Sequence, residues 1–296
     1  DQIIIDAILN LDYDSIENDR AYYLANIAAC AENVAAKTAA LLQATTGAAA
    51  SAGTFGFSAD LQLQIDGSYS KSKSEDITSK GSNINAGGSF TVTAGNKAKI
   101  EGSDVKAGGD ITLDAKSVDI VAAENTSTSS NKRGNVSATI SISTAGAGGP
   151  SFNPSGNYTE SDSSGTTYSN SHLNASNITI KSKEDTTVSG GVVRGDNGLK
   201  LDVGGDLTVE SLQDKSSNHS YTVGASGGVT TDKNGDVAGG SGGVNANLSS
   251  GSKKWVTEQT SLTGGSVDIY VEDKTTLKGA VIASDIDKLK LDTGSL

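Results

Sequence analysis

The strongest constraint on this 296-residue chain is an internal repeat with two nested periods. GSNINAGGSFTVTAGNKAKIE (81–101) is followed by GSDVKAGGDITLDAKSVDIVAAEN (102–125). Ile84, Phe90 and Val92 return as Val105, Ile111 and Leu113, each 21 positions later. Ala98 and Ile100 return as Val118 and Ile120 after 20, so one turn has lost a residue. The longer period is near 89: Ile84, Leu173 and Leu262 are 89 and 89 apart, and Val92, Ile180 and Ile269 are 88 and 89 apart. Each long repeat therefore holds a pair of short repeats plus an insert, at about 127–170 and 214–260, and residues 54–80 read as the tail of a preceding insert. Self-similarity at such periods marks units that bury their apolar faces only by stacking on one another.

Each short repeat carries two or three alternating segments of about five residues, separated by Gly-Gly, Asn or Asp-Lys turns. No helical period appears after residue 53. The expectation is a mostly β protein, a right-handed parallel β-helix with one coil per short repeat. Ile, Leu and Val would stack inside, with Thr, Ser, Lys and Asp outside and Asn and Thr forming side-chain ladders. The pairs Gly87-Gly88, Gly108-Gly109, Gly204-Gly205 and Gly264-Gly265 precede strands and are expected to supply positive φ. The inserts read as β-hairpins or as extra coils; hairpins are favoured, with Asn234-Gly235 a good hairpin turn. Residues 1–52 differ. Asp14 followed by Glu17 resembles a capping box, and Tyr23, Ile27, Cys30, Val34 and Leu41 fall on one stripe in an Ala-rich background, predicting a helix over about 15–45. The domains expected are thus 1–52, an N-terminal helical segment, and 53–296, the repeat region, with long repeats near 81–170, 171–260 and 261–296.

Composition narrows the function. Phe, Tyr and Trp number 4, 8 and 1 against 36 Gly, which suits thin, repetitive structures better than one wide core. Only 2 Pro and plentiful Val, Ile and Leu argue against wholesale disorder. No run of 18 apolar residues is present to span a membrane as a helix. Lys+Arg total 23 against 35 Asp+Glu, a net charge of −12, with Arg only at 20, 133 and 194; nucleic acid is not an expected partner. A single cysteine excludes a disulfide scaffold. The start at Asp1, without a leader, suggests a piece of a longer polypeptide.

Few residues carry chemistry. His172 and His219 lie near the insert boundaries beside Ser or Asn and read as exposed polar turn residues, with no Cys or His spaced to share a metal. Cys30 lies on the helix stripe with no basic neighbour to activate it. Asp232-Lys-Asn-Gly-Asp236 resembles a calcium loop only superficially; it lacks the sixth-position Gly and twelfth-position Glu of the EF-hand and is better a tight turn. No catalytic residue, metal site or cofactor is expected. A polysaccharide-cleaving β-helix would need clustered basic residues in a groove, so an enzyme remains a remote alternative. Trp255, Tyr158, Tyr168 and Tyr221 gather around the inserts. They read first as packing at hairpin bases and second as a contact patch for a glycan or protein.

Several stretches resemble a known family: NAGGSFTVTA (85–94), KAGGDITL (106–113), VGGDLTVESLQD (203–214), VTEQT (256–260) and LKGAVIAS (277–284). They are similar to the haemagglutinin repeats of very large bacterial exoproteins, the filamentous haemagglutinins and the CdiA-type contact-dependent inhibition proteins exported by two-partner secretion. The resemblance covers about 54–296 and is closest to the second, C-terminal-side repeat region of the CdiA-type proteins, whose repeats carry Gly/Ser-rich inserts. It implies a β-helical filament, secreted or on the surface of a Gram-negative-type cell. Its implied partners are an outer-membrane transporter during export and a target-cell envelope or surface receptor. In one branch this region helps carry a C-terminal toxin into target cells; in the other the filament is an adhesin. The sequence leaves both branches open.

Overall fold

The computed structural model describes residues 60–143 and 148–296. The predicted helix at 15–45, the 1–52 segment and Cys30 lie outside the described residues. Among those described, the regular structure is all β. β1 (Asp60–Ile77) comes first. Two sets of short strands follow: β2 (Asn83–Ala86), β3 (Phe90–Thr93) and β4 (Lys97–Glu101), then β5 (Asp104–Ala107), β6 (Ile111–Ala115) and β7 (Ser117–Val121). The first insert is β8 (Ala123–Ser143) and β9 (Gly148–Ser169). Next come β10 (Ser171–Ser182), β11 (Thr186–Ser189), β12 (Gly191–Val203) and β13 (Leu207–Glu210). The second insert is β14 (Asp214–Asp232) and β15 (Val237–Trp255), before β16 (Ser261–Lys278) and β17 (Val281–Ser295).

These strands form a curled parallel sheet of twelve strands and a five-stranded sheet ordered β1-β8-β9-β14-β15. The chain divides into two compact units. One holds Ser74–Ser129, Asp162–Asn218 and Ser250–Leu296, and contains the parallel sheet and the root ends of the inserts. The other holds, of the described residues, 60–73 and those within Ser130–Ser161 and His219–Ser249.

In the first unit each pass of chain lays a rung on the one before, and the register is that of the repeat. Ile84 pairs with Val105, Val105 with Leu173, Leu173 with Val193, Val193 with Leu262 and Leu262 with Ile282. A parallel column runs Val92, Leu113, Ile180, Leu201, Ile269, Leu291. A third, on the other face of the curl, runs Ile100, Ile120, Val188, Val209, Leu277. Because side chains alternate across a strand, every second residue enters a column and its neighbours face water. β6 and β10 show this alternation directly. Val105, Leu113, Leu173, Leu201, Val209 and Ile269 are essentially fully buried, each such side chain contributing roughly 1.5–3 kcal/mol on burial. The offset of 21 holds from β2 to β5 and β3 to β6, and falls to 20 from β4 to β7. The missing residue lies at the corner where Lys116 and Ser117 both donate their N–H to the Asn96 carbonyl.

Some buried positions in the columns are hydroxylic, and they are paired. Thr186 sits between Val118 and Leu207, and Thr275 follows Leu207. Thr186 shares a hydrogen bond of 2.8 Å with Ser182, and Thr275 donates at 2.9 Å to Thr293. Buried hydroxyls without partners would cost more than these pairs return.

The glycine expectation needs correction. None of the four Gly-Gly pairs has positive φ. The left-handed glycines beneath the rungs are Gly102, Gly190 and Gly279, with Gly235 in a hairpin turn. Gly102, Gly190 and Gly279 lie where one rung steps directly onto the next without an intervening insert. Three of the pairs answer instead to space between rungs: a Cβ on Gly108 would stand 2.5 Å from the Gly87 carbonyl oxygen, one on Gly204 2.6 Å from that of Lys183, and one on Gly264 2.6 Å from that of Gly195, whereas Gly87 and Gly88 have nothing within 4 Å.

The inserts are hairpins, as favoured from sequence. In the second unit β9 and β14 run antiparallel, with Thr159 hydroxyl on Thr222 (3.1 Å) and Ser161 on Ser220 (3.0 Å). Lys132 on β8 meets Glu160 on β9 at 2.8 Å. Between β14 and β15 the expected tight turn is present. Asp232 accepts from the amides of Asn234 (2.8 Å) and Asp236 (2.9 Å) through its carboxylate, and Gly235 sits at φ 88.

Candidate functional site at the insert roots

Where the inserts leave and rejoin the rungs, polar side chains converge on one buried carboxylate. Asp214 opens β14 and is 3% exposed. One of its oxygens accepts the Tyr168 N–H at 2.9 Å; the other accepts the Thr257 hydroxyl, which in turn accepts the Trp255 indole N–H at 3.0 Å. Tyr168 donates its phenol toward Glu124 at 3.4 Å, and burial, then the Glu124 charge and hydrogen bond, push that phenol above its usual pKa. At the other end of the first root, Asn125 donates to Ser169 at 3.0 Å and accepts the Ser79 N–H at 2.7 Å. The last strand of the first insert, the first of the second and the exit of the second are thus tied together through Asp214.

A second tie lies beside it. His172, in β10, places Nδ1 2.9 Å from Asp104 on β5 and Nε2 3.0 Å from Glu258, just after β15. Asn170 also donates to the Glu258 carbonyl at 3.2 Å. Burial lowers the imidazole pKa, but the hydrogen bond and charge of Glu258, then those of Asp104, outweigh it, so the net shift is upward. Lys106 and Asn174 line the same shallow pocket. On neighbouring β12, Arg194 is occupied by Asp196 (3.2 Å) and Asp285 (2.8 Å).

The four aromatics named from sequence separate into two pairs. Trp255 and Tyr168 enter the Asp214 network, with Trp255 still 40% exposed. Tyr158 and Tyr221 are half-buried on the paired strands β9 and β14 of the other unit, where Tyr158 donates to Glu160 at 3.0 Å. His219 is exposed, but on a strand. His172 corrects the expectation of an exposed turn residue: it is a strand residue between two carboxylates, which stand 68 and 86 positions away and give no local signal. Asp214 had no local signal either, being one acid among many. Among the described residues no group of three or more His, Cys, Asp or Glu is placed to hold a metal, and no helix is long and apolar enough to cross a membrane. The hydrogen-bonding capacity at the roots is spent on holding strands together.

Comparison with known proteins gives the family. The chain is 33% identical over 247 residues to "Deoxyribonuclease CdiA" of Yersinia pseudotuberculosis serotype O:3, covering 80% of this chain and 21% of that protein. It is 34% identical over 265 residues to "tRNA nuclease CdiA" of Yersinia mollaretii, covering 81% and 9%. It is 31% identical over 281 residues to "Filamentous hemagglutinin" of Bordetella pertussis, covering 88% and 7%. The chain therefore spans a small part of these much longer relatives. No solved structure matches. The Hemagglutinin repeat family model matches residues 63–225, more than half of the chain, across most of β1, both pairs of short repeats that flank the first insert, that insert itself and the start of the second. A chain with this match and these relatives belongs to the haemagglutinin-repeat family, as a repeat region of the CdiA and filamentous haemagglutinin type.

Proposed function

We propose that this chain is a structural delivery module of a large exoprotein, secreted or displayed on the surface of a Gram-negative-type bacterium, that helps carry a C-terminal toxin into target cells. Its repeats at 53–296 would close as a right-handed parallel β-helix, the hand that parallel crossovers adopt. The observation that carries the reading is the pair of long hairpins rooted in the rungs. Rung strands run from 4 residues in β3 to 18 in β16, which itself pairs in separate stretches with β12 and β13, whereas the insert strands run 19 to 22 residues in a sheet of their own and are anchored by a buried root network. A shaft alone has no use for such inserts; a delivery module would use them to engage the target envelope. Relatives named as nucleases support this branch. Export would use an outer-membrane transporter. Nuclease activity belongs to the names of those relatives and is not proposed for this repeat region.

The test replaces 130–161 or 219–249 by short turns, leaving the roots in place, within a parent exoprotein. Toxin delivery is expected to fail while cell attachment persists; retained delivery refutes the reading. The likeness to a filamentous haemagglutinin favours a second reading, an adhesin shaft whose contacts include Trp255, Tyr168, Tyr158 and Tyr221. It requires saturable binding of the isolated chain to cells or glycans, weakened by Trp255→Ala.

A further inference from the structure

The five-stranded sheet follows one pairing rule. The last strand of one insert pairs with the first strand of the next: β9 with β14, and β1, the tail of a preceding insert by sequence, with β8. β15 is likewise a last strand, and it forms an edge of the sheet with no strand on its outer side among the described residues. Natural edge strands are usually defended by charge, proline or a bulge, because their unpaired N–H and C=O groups recruit other strands. The opposite edge, β1, carries Asp66, Lys71, Lys73, Glu75 and Asp76. β15 has no charged residue and no proline from Val237 to Ser252. All its residues are exposed except the half-buried Gly239, and Val244 and Leu248 are 89% and 66% exposed.

The β9–β14 pairing shows what such an edge accepts: an antiparallel strand whose hydroxyls meet hydroxyls, as in Thr159 with Thr222, Ser161 with Ser220 and Ser164 with Ser217 (2.8 Å). β15 offers hydroxyls in Ser241, Ser249 and Ser252, with the small amides Asn245 and Asn247 between them. We propose that the outer edge of β15 is a docking site for the first strand of an insert hairpin from another haemagglutinin repeat, a strand of the β8 and β14 kind, added antiparallel as β14 is added to β9. Main-chain hydrogen bonds supply affinity, and the matched small side chains supply selection. The proposal does not depend on whether the module delivers a toxin or adheres.

The experiment titrates a fluorescent peptide of sequence 214–232 into the full 296-residue chain, read by anisotropy, with amide hydrogen exchange mapping the site. Expected are saturable binding, new protection confined to 237–252, and at least tenfold weaker binding of a scrambled peptide and of peptide 237–255, a last strand. The double variant Val244→Lys/Leu248→Lys, whose altered side chains are exposed and whose fold is checked by circular dichroism, is expected to lose at least tenfold in affinity. Equal binding of the scrambled peptide, protection elsewhere, or an unaffected variant overturns the proposal. So does a concentration-dependent dimer that protects 237–252 without peptide, which would make a second copy the occupant.

Discussion

Gly190→Ala isolates the cost of stepping from one rung to the next. Gly190 has φ +70, and an added Cβ would stand 2.5 Å from the Ala122 Cβ, 2.9 Å from Asn170 Oδ1 and 3.2 Å from Leu212 Cδ1. Its amide is held by the Glu210 carbonyl at 3.1 Å and Thr260 Oγ1 at 3.0 Å, so the backbone has little freedom to retreat. A non-glycine residue in the left-handed region costs about 1–2 kcal/mol, and overpacking a close-packed site costs about 1–3 kcal/mol. Lower entropy of the unfolded chain returns about 0.4–1 kcal/mol. The net expectation is a loss of roughly 2–4 kcal/mol. The control is Gly88→Ala, where a Cβ meets nothing within 4 Å and φ is not left-handed, so the change should lie within about 0.5 kcal/mol of neutral. Urea unfolding followed by circular dichroism reads both through the midpoint and slope. Hydrogen exchange should place the Gly190→Ala loosening at 171–210 before 82–121, because rungs support mainly their neighbours. If Gly190→Ala is as stable as the parent, or Gly88→Ala is as damaging, the step-glycine argument fails.

Three further outcomes are expected. Thr186→Val leaves the Ser182 hydroxyl buried without its partner and should cost about 1–3 kcal/mol, part of which Ser182→Ala in the same chain restores; a double-mutant cycle measures the coupling. Asp214→Ala strips the Tyr168 N–H and the Thr257 hydroxyl of their acceptor and should destabilise by about 2–3 kcal/mol, with a shift in Trp255 fluorescence; Asp214→Asn, which keeps one acceptor oxygen, should cost less. The upward shift of His172 means that the charged imidazole stabilises the fold below its unfolded pKa, and that this contribution disappears as pH rises through the folded value. NMR titration should therefore place His172 above the ordinary imidazole value, and Glu258→Gln should lower the His172 pKa while flattening the fall in stability with pH; an unmoved titration refutes the tie between His172 and Glu258.

The columns were legible because burial and period coincide. Leu113, Ile180 and Leu201 had to recur if rungs were to share one apolar strip, and they do so in paired register. The hairpin between β14 and β15 was legible from Asn234-Gly235, although only Gly235 takes the left-handed φ, as the last of the three residues between Asp232 and Asp236. The roots were not legible. Asp214, Thr257 and Tyr168 meet only because two inserts, each more than forty residues around, return to the same place, and no local pattern encodes that return. The glycine pairs misled for a related reason. Glycine answers either to conformation or to space, and a single sequence does not distinguish them; the neighbouring rung does, through the Gly87 carbonyl over Gly108.

That each insert is a hairpin has a consequence for pitch. Between one insert and the next the chain lays down two rungs, and each insert adds two strands to its own sheet. Hydrogen-bonded strands lie about 4.8 Å apart in either kind of sheet, so both advance by about 9.6 Å per long repeat. One hairpin for every two rungs therefore keeps the number of strands added equal in the two sheets. An insert of one or three strands would break that equality by one strand at every repeat, a difference that grows with the number of copies. The period near 89 thus sets a gearing ratio as well as a length, which lets Gly- and Ser-rich inserts vary in composition while their strand number stays at two.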